Sequence, residues 1–243
     1  MPSAVESILA QLKIVDTQRE RRSAVPGLSV KVDALKAYQQ RRFAHTYADL
    51  LLTTRYGAAA RFFLDELYGP SDFTQRDAQF ARVVPALVRL FPREIVEAVA
   101  ALAELHALSE TLDTAMATNL KQIPINAPDY VQAWRQTDHA PERQLQIALT
   151  LSVAQRLDRL TRKPLLRQSL RLMRGPARAA GLADLQHFLE TGFDTFQAMK
   201  GAQDFVALIE SRELALVSSL NAPRAGSADP VLDAERAFAS LPK

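Results

Sequence analysis

The chain has 243 residues, 48% of them hydrophobic and 23% charged, with a net charge of +3. That is enough apolar material for a sizeable core, it argues against wholesale disorder, and so slight a basic excess does not compel a nucleic-acid partner. There is no cysteine, which excludes disulfides, thiolate metal sites and cysteine nucleophiles and fits a reducing compartment.

The chain begins without the basic start and apolar run of a signal peptide. No stretch reaches the ~18 apolar residues needed to span a bilayer. A soluble, cytoplasmic protein with no membrane span is therefore expected. Glycine is scarce, with 8 residues, while the helix formers Ala, Leu, Arg and Gln are abundant.

The first helix is predicted from Ala4 to Arg22. Ser3 and Glu6 have the spacing of a capping box, and Val5, Ile8, Leu9, Leu12 and Val15 make one apolar stripe. Its end is basic, which suits a helix C-terminus. Pro26-Gly27 then punctuates a linker. A long second helix is predicted from Val30 to Tyr68, approaching ~60 Å at ~1.5 Å per residue, with Gly57 as the place for a bend. From Leu51 onward its apolar residues go nearly all round. That is the pattern of a helix surrounded by protein, so this half is expected to be the central helix. Tyr68-Gly69-Pro70 is a stop signal.

The next helix starts at Thr74, with Asp77 at capping distance, and runs to Leu90 with a kink at Pro85. Another runs from Arg93 to Leu120. Lys121 to Pro128 reads as a loop, followed by a short amphipathic piece around Tyr130, Val131 and Trp134. Pro141 and Pro164 open two further helices, the second broken at Gly175-Pro176. Leu182–Lys200 and Ala202–Leu220 complete the pattern. The fold class expected is all-α, a single-domain bundle of about eight or nine helices over residues 1–220, with 221–243 as a mobile tail carrying a marginal helix.

No dinucleotide, P-loop, zinc-protease, EF-hand or nucleophile-elbow motif is present. The candidate sites are instead polar residues on apolar stripes, because buried polar groups need partners. On the Arg93–Leu120 helix, His106, Ser109 and Asp113 fall within the stripe of Ile95, Leu102 and Met116. Arg61 and Asp65, four apart, can pair with each other and reach toward His106. Arg61, Asp65, His106 and Asp113 are thus the ligand-binding candidates, with a buried ionic network as the structural alternative. Arg167, Arg171 and Arg174 share a face of a strongly basic segment, a candidate patch for an acidic protein or a phosphate-bearing partner. Asp184, His187, Glu190 and Asp194 have metal-like spacing, but His187, Glu190 and Asp194 lie opposite the apolar face of Leu185, Leu189, Phe193 and Phe196, so they read as a solvated face, and no metal site is expected.

The stretch Phe62-Phe-Leu-Asp-Glu-Leu-Tyr-Gly-Pro-Ser-Asp-Phe-Thr-Gln-Arg-Asp77 resembles an uncharacterised family of bacterial all-helical proteins. Leu172-Met-Arg-Gly-Pro-Ala-Arg-Ala-Ala-Gly-Leu182 and Gly192-Phe-Asp-Thr-Phe196 carry the same resemblance, which spans roughly Ala34 to Glu213. It implies a helical protein with no assigned function. Ala44-His45-Thr46, followed by Asp49, is similar in local flavour to heme oxygenase-like helical proteins. That resemblance implies heme ligation by His45, but the Gly-rich distal helix of that family has no counterpart here. The expectation is a non-enzymatic interaction or regulatory module without catalytic residues. The alternative is a bundle binding a small ligand or heme near Arg61, Asp65 and His106.

Overall fold

The computed structural model describes residues 2–67, 74–221 and 241–242. The Gly69-Pro70 stop and the tail between 222 and 240 lie outside the described residues. Among the described residues the regular elements are eleven α-helices and one π-helical segment, with no strand. The excess over the expected number comes from the second helix, which is cut in three.

Helix α1 (Ala4–Ala24) begins at the capping box. The Glu6 N–H donates to Ser3 Oγ at 3.2 Å, and the Ser3 N–H donates to the Glu6 carboxylate at 2.7 Å. Ile8, Leu12 and Val15 are buried against the bundle. The basic end departs from expectation, because Arg22 is buried rather than solvated. The reason is a partner on another helix, described below.

Gly27 takes a left-handed φ of 76° and starts α2 (Leu28–Thr46). The chain then breaks into α3 (Ala48–Leu51), a turn, α4 (Gly57–Phe62) and the π-helical segment Phe63–Leu67. The expected ~60 Å rod does not form. Leu51 O lies so near Gly57 that a β-carbon there would stand 2.8 Å from it, so the fold-back requires glycine. The Tyr56 N–H donates to Thr53 Oγ1 at 3.1 Å, and the Gly57 N–H donates to Thr53 O at 2.9 Å. Gln40 on α2 then reaches Leu64 O at 3.3 Å. Gly57 therefore marks a reversal instead of a bend.

The remaining helices are α5 (Thr74–Leu90), α6 (Arg93–Thr118), α7 (Ala127–Thr137), α8 (Ala140–Thr161), α9 (Pro164–Ala179), α10 (Ala183–Ala198) and α11 (Gln203–Asn221). Pro85 lies inside α5 without ending it. Helix α9 likewise continues through Gly175-Pro176 and stops only before Gly181, whose φ is 70°. A proline removes one backbone bond, and a helix otherwise held by packing survives that loss.

The central helix is α6, not the one expected. It packs against α1, α2, α5, α7 and α8. Its buried residues include Val96, Leu105, Leu112 and Met116 on different sides, with Glu110 and Asp113 among them. Around it lie three apolar clusters, one built on Tyr38, Tyr130, Trp134 and Leu220, one on Phe43, Phe63, Phe196 and Phe205, and one on Ile8, Val84 and Val96. Leu241 is buried in the first cluster, and Tyr38 Oη donates to Pro242 O at 3.0 Å.

Phe62 and Phe63 of the 61–77 stretch are core. Phe62 stacks 5.5 Å from Phe188, and Phe63 sits 6.0 Å from Phe196. Helix α10 comes close enough for this because residue 192 is glycine. A β-carbon there would stand 3.0 Å from Phe62 Cζ. A Gly192→Leu substitution is expected to lower stability by about 1–3 kcal/mol through overpacking. In urea unfolding the midpoint should fall with an unchanged slope. An unchanged midpoint would contradict this packing.

Candidate functional site

One face of α6 lines a cavity of about 350 Å³. Val99, Leu102, His106, Ser109 and Asp113 recur there at alternating spacings of three and four, which keeps them on one side of a 3.6-residue turn. From Val99 to Asp113 the helix advances ~21 Å, so the cavity is elongated. Its walls change character along that length. At the Val99 end they are apolar, with Phe80, Leu87, Leu90, Met173 and Leu189 from α5, α9 and α10. At the Asp113 end polar and charged groups enter the wall, with Lys36, Gln39, Arg42, Arg143 and Glu213 from α2, α8 and α11 set among Tyr130, Trp134 and Leu216.

Glu110 organises the charged end. Its carboxylate accepts from Arg22 of α1 at 2.5 Å and from Lys36 of α2 at 2.5 Å. Arg22 also donates to Glu110 O at 2.7 Å and to Thr114 Oγ1 at 2.8 Å. Burial pushes the Glu110 carboxyl up, but the charges of Lys36 and Arg22 outweigh it and hold the group below its ordinary value. Asp113, one turn on, accepts from Gln39 Nε2 at 3.1 Å. Here burial wins and the carboxyl is raised. Glu213 accepts from Arg42 at 2.5 Å and from Tyr47 Oη at 2.8 Å. The Arg143 guanidinium lies over the Trp134 ring, 4.4 Å from its centre, where the ring face attracts a cation.

Halfway along the cavity, His106 Nε2 is 2.8 Å from Asp77 Oδ2, and Arg19 donates to the same oxygen at 2.5 Å. Burial pushes Asp77 up, yet its bonds and Coulomb interactions with His106 and Arg19 hold it below its ordinary value. The sequence reading of Asp77 as a capping partner of Thr74 did not anticipate this pairing.

Of the four ligand-binding candidates, His106 and Asp113 line the cavity, whereas Arg61 and Asp65 do not and are exposed. The network expected between the two pairs is replaced by Asp77 for His106 and Gln39 for Asp113. The α4 fold-back carries Arg61 and Asp65 to another surface. His45 is exposed at the end of α2 and is not among the residues that line the cavity. The basic patch is also altered. Arg167 donates to Asp194 at 2.6 Å, and Arg174 grips Glu190 at 2.6 to 2.9 Å. The bond from Arg174 holds the Glu190 carboxyl down at about 2. The acids read as a solvated face of α10 are thus the partners of the patch.

Sequence reasoning missed Arg22, Lys36, Gln39, Arg42, Glu110 and Arg143. A signal existed for some of them. Gln39 and Arg42 continue the stripe of Val32 and Leu35 at spacings of four and three, and Glu110 sits beside Ser109 on α6.

The arrangement defines an all-α domain with an elongated, graded cavity. The chain belongs to the family described as Domain of unknown function (DUF8198), whose model matches residues 18–227. No curated protein and no solved structure matches it. Among the described residues no helix is long and apolar enough to cross a membrane.

Two outcomes follow for the charged end. Glu110→Ala leaves the buried Arg22 and the half-buried Lys36 without their carboxylate and should cost about 3–5 kcal/mol, measured by chemical unfolding. A loss under 1 kcal/mol would count against a closed network, the figure being the upper range for exposed pairs. Asp113 behaves in the opposite sense. Its folded pKa is raised, so its contribution falls as pH rises from the ordinary carboxylate range through the folded value. Asp113→Asn should therefore raise the melting temperature at pH 7 relative to pH 4. A gain equal at both pH values would refute the raised carboxyl.

Proposed function

We propose that the domain binds one elongated molecule with an apolar body and an anionic end, such as a long-chain acid or acyl phosphate. The observation that carries this reading is the gradient of the cavity walls along α6. Apolar residues line the Val99 end and cations gather at the Asp113 end. Largely apolar clefts with a few placed polar groups are the usual form of a small-molecule site. The chemistry of the inner end suits an anion. Among the described residues Lys36, Arg42 and Arg143 line it together with Glu110, Asp113 and Glu213, and Arg22 bonds Glu110 from α1. Burial shifts Asp113 toward its neutral acid, which lessens the negative charge at this end and supplies an O–H donor.

In this reading the apolar body lies along Val99 and Leu102, where removal from water contributes about 25 cal/mol per Å². The anionic end meets Arg143, already oriented by Trp134, and the Gln39 amide. The reading keeps the binding-bundle alternative of the sequence but moves the site from Arg61 and Asp65 to the inner face of α6. It takes precedence over a protein partner at Arg167, Arg171 and Arg174, because two of those three arginines already bond carboxylates of α10.

The protein carries its own probe, since Trp134 is the single tryptophan and it lines the inner end of the cavity. Brominated long-chain fatty acids should quench its fluorescence saturably, with one molecule per chain. The unbrominated acids should reverse the quenching, and the corresponding alcohols should compete poorly. Acyl phosphates in place of the acids identify which anion is preferred. Arg143→Gln, with unchanged helical circular dichroism, should weaken binding about tenfold to a hundredfold, as expected for one charge-assisted bond. Absence of saturable quenching across chain lengths would overturn the reading.

A further inference from the structure

The apolar end of the cavity does not close. Leu90, Phe91, Met173 and Leu189 line it and are exposed, Leu90 by 69%. Helix α9 forms one side of this opening, and its outward face is unusual. Leu165 is 72% exposed and Leu172 79%, with Pro176 exposed beyond them. At 100° per residue these three lie within 40° of one another, beside Met173 at the opening. On the other flank of the same outward face stand Arg171 and Arg178, both exposed. The helix contains no acidic residue over Pro164–Ala179. Its inward arginines, Arg167 and Arg174, are bonded to Asp194 and Glu190 on α10, which clamps α9 in this orientation.

A solvated helix does not ordinarily present two leucines at such exposure on one strip. A strip of leucines flanked by arginines is the pattern of a helix lying in a lipid–water interface. We infer that the outward face of α9 docks on a bilayer bearing anionic lipid headgroups. Leu165, Leu172 and Met173 enter the acyl boundary, and Arg171 and Arg178 meet the phosphates. The surface rests on the proposed reading of the cavity, because it places the apolar opening against the phase in which an acyl chain resides. An acidic protein would satisfy the arginines, but it would give no reason for an apolar cavity to open beside the leucine strip.

The test uses the full chain and sedimentation with two vesicle types, phosphatidylcholine alone and phosphatidylcholine with phosphatidylglycerol. Binding to the mixed vesicles is expected, with little to the neutral ones. Arg171→Ala with Arg178→Ala should weaken it about thirtyfold, at about a factor of five per cation. Leu165→Asp and Leu172→Asp should each weaken it about tenfold or more, through lost apolar burial. These positions are exposed, so the variants should keep their melting temperature. Failure of the native chain to bind anionic vesicles overturns the inference, as does binding that the leucine variants leave unchanged. Dissociation of a dimer by the leucine substitutions, without vesicle binding by the native chain, assigns the strip to a second copy and also overturns it. The two readings separate cleanly in these data. Saturable Trp134 quenching without vesicle binding removes only the docking surface, and vesicle binding without quenching removes the cavity reading.

Discussion

The ion pairs of Glu110 hold the arrangement on which the rest depends. One carboxylate in the middle of the central helix takes Arg22 from α1 and Lys36 from α2. Three helices are thereby set in one register. Two cations and an anion out of water are expensive, and apolar replacements of the same shape are often no less stable. What the charged group contributes is direction. Hydrogen bonds of fixed geometry at 2.5 Å allow one alignment of α1 and α2 on α6, whereas leucines would allow several. The alignment brings Gln39 to Asp113 and leaves the cationic end of the cavity facing inward.

Helix α6 carries two functions on one surface. Away from the cavity, Leu112 and Met116 are fully packed, as a central helix requires. Toward the cavity, the stripe from Val99 to Asp113 passes from aliphatic to polar within about four turns. Environment rather than residue type separates its two neighbouring acids. Glu110 is held ionised by cations on both oxygens, and Asp113, one turn away with an amide for company, is pushed toward its protonated form. Such divergence between adjacent carboxyls is what burial and charge pairing together produce.

Much of the fold was legible from the pattern of the chain. The capping box at Ser3, the prolines opening α8 and α9 and the stripe on α6 all correspond to observed elements, because each is a local device. The failures concern events that local pattern does not encode. Residues 30–68 read as one rod because nothing in their periodicity reveals that Leu51 O closes on Gly57. A contact between residues six apart looks, in sequence, like a helix with one weak position. The choice of central helix followed from that error. At the site, His106 and Asp113 stood out as polar residues on an apolar stripe. Their partners did not, because Asp77 looked like a cap and Arg22 like a solvated helix end. Each role is chemically reasonable for its residue, and the tertiary structure used another. The arginines of α9 had their partners in view at Glu190 and Asp194, on a helix face that reads as solvated until α9 is laid across it.

Tyr38 hydrogen-bonds the carbonyl of Pro242, 204 positions away, and Leu241 fills the same cluster as Leu28 and Val32. The site that receives Leu241 is built from α2, α6, α7 and α11 together, so it is complete only after elements far apart in the chain have met. Contacts of such long sequence separation slow folding, since loop closure must precede them. Until that contact forms, the cluster keeps an apolar site of its own uncovered, and Leu241 acts as the plug that ends its exposure.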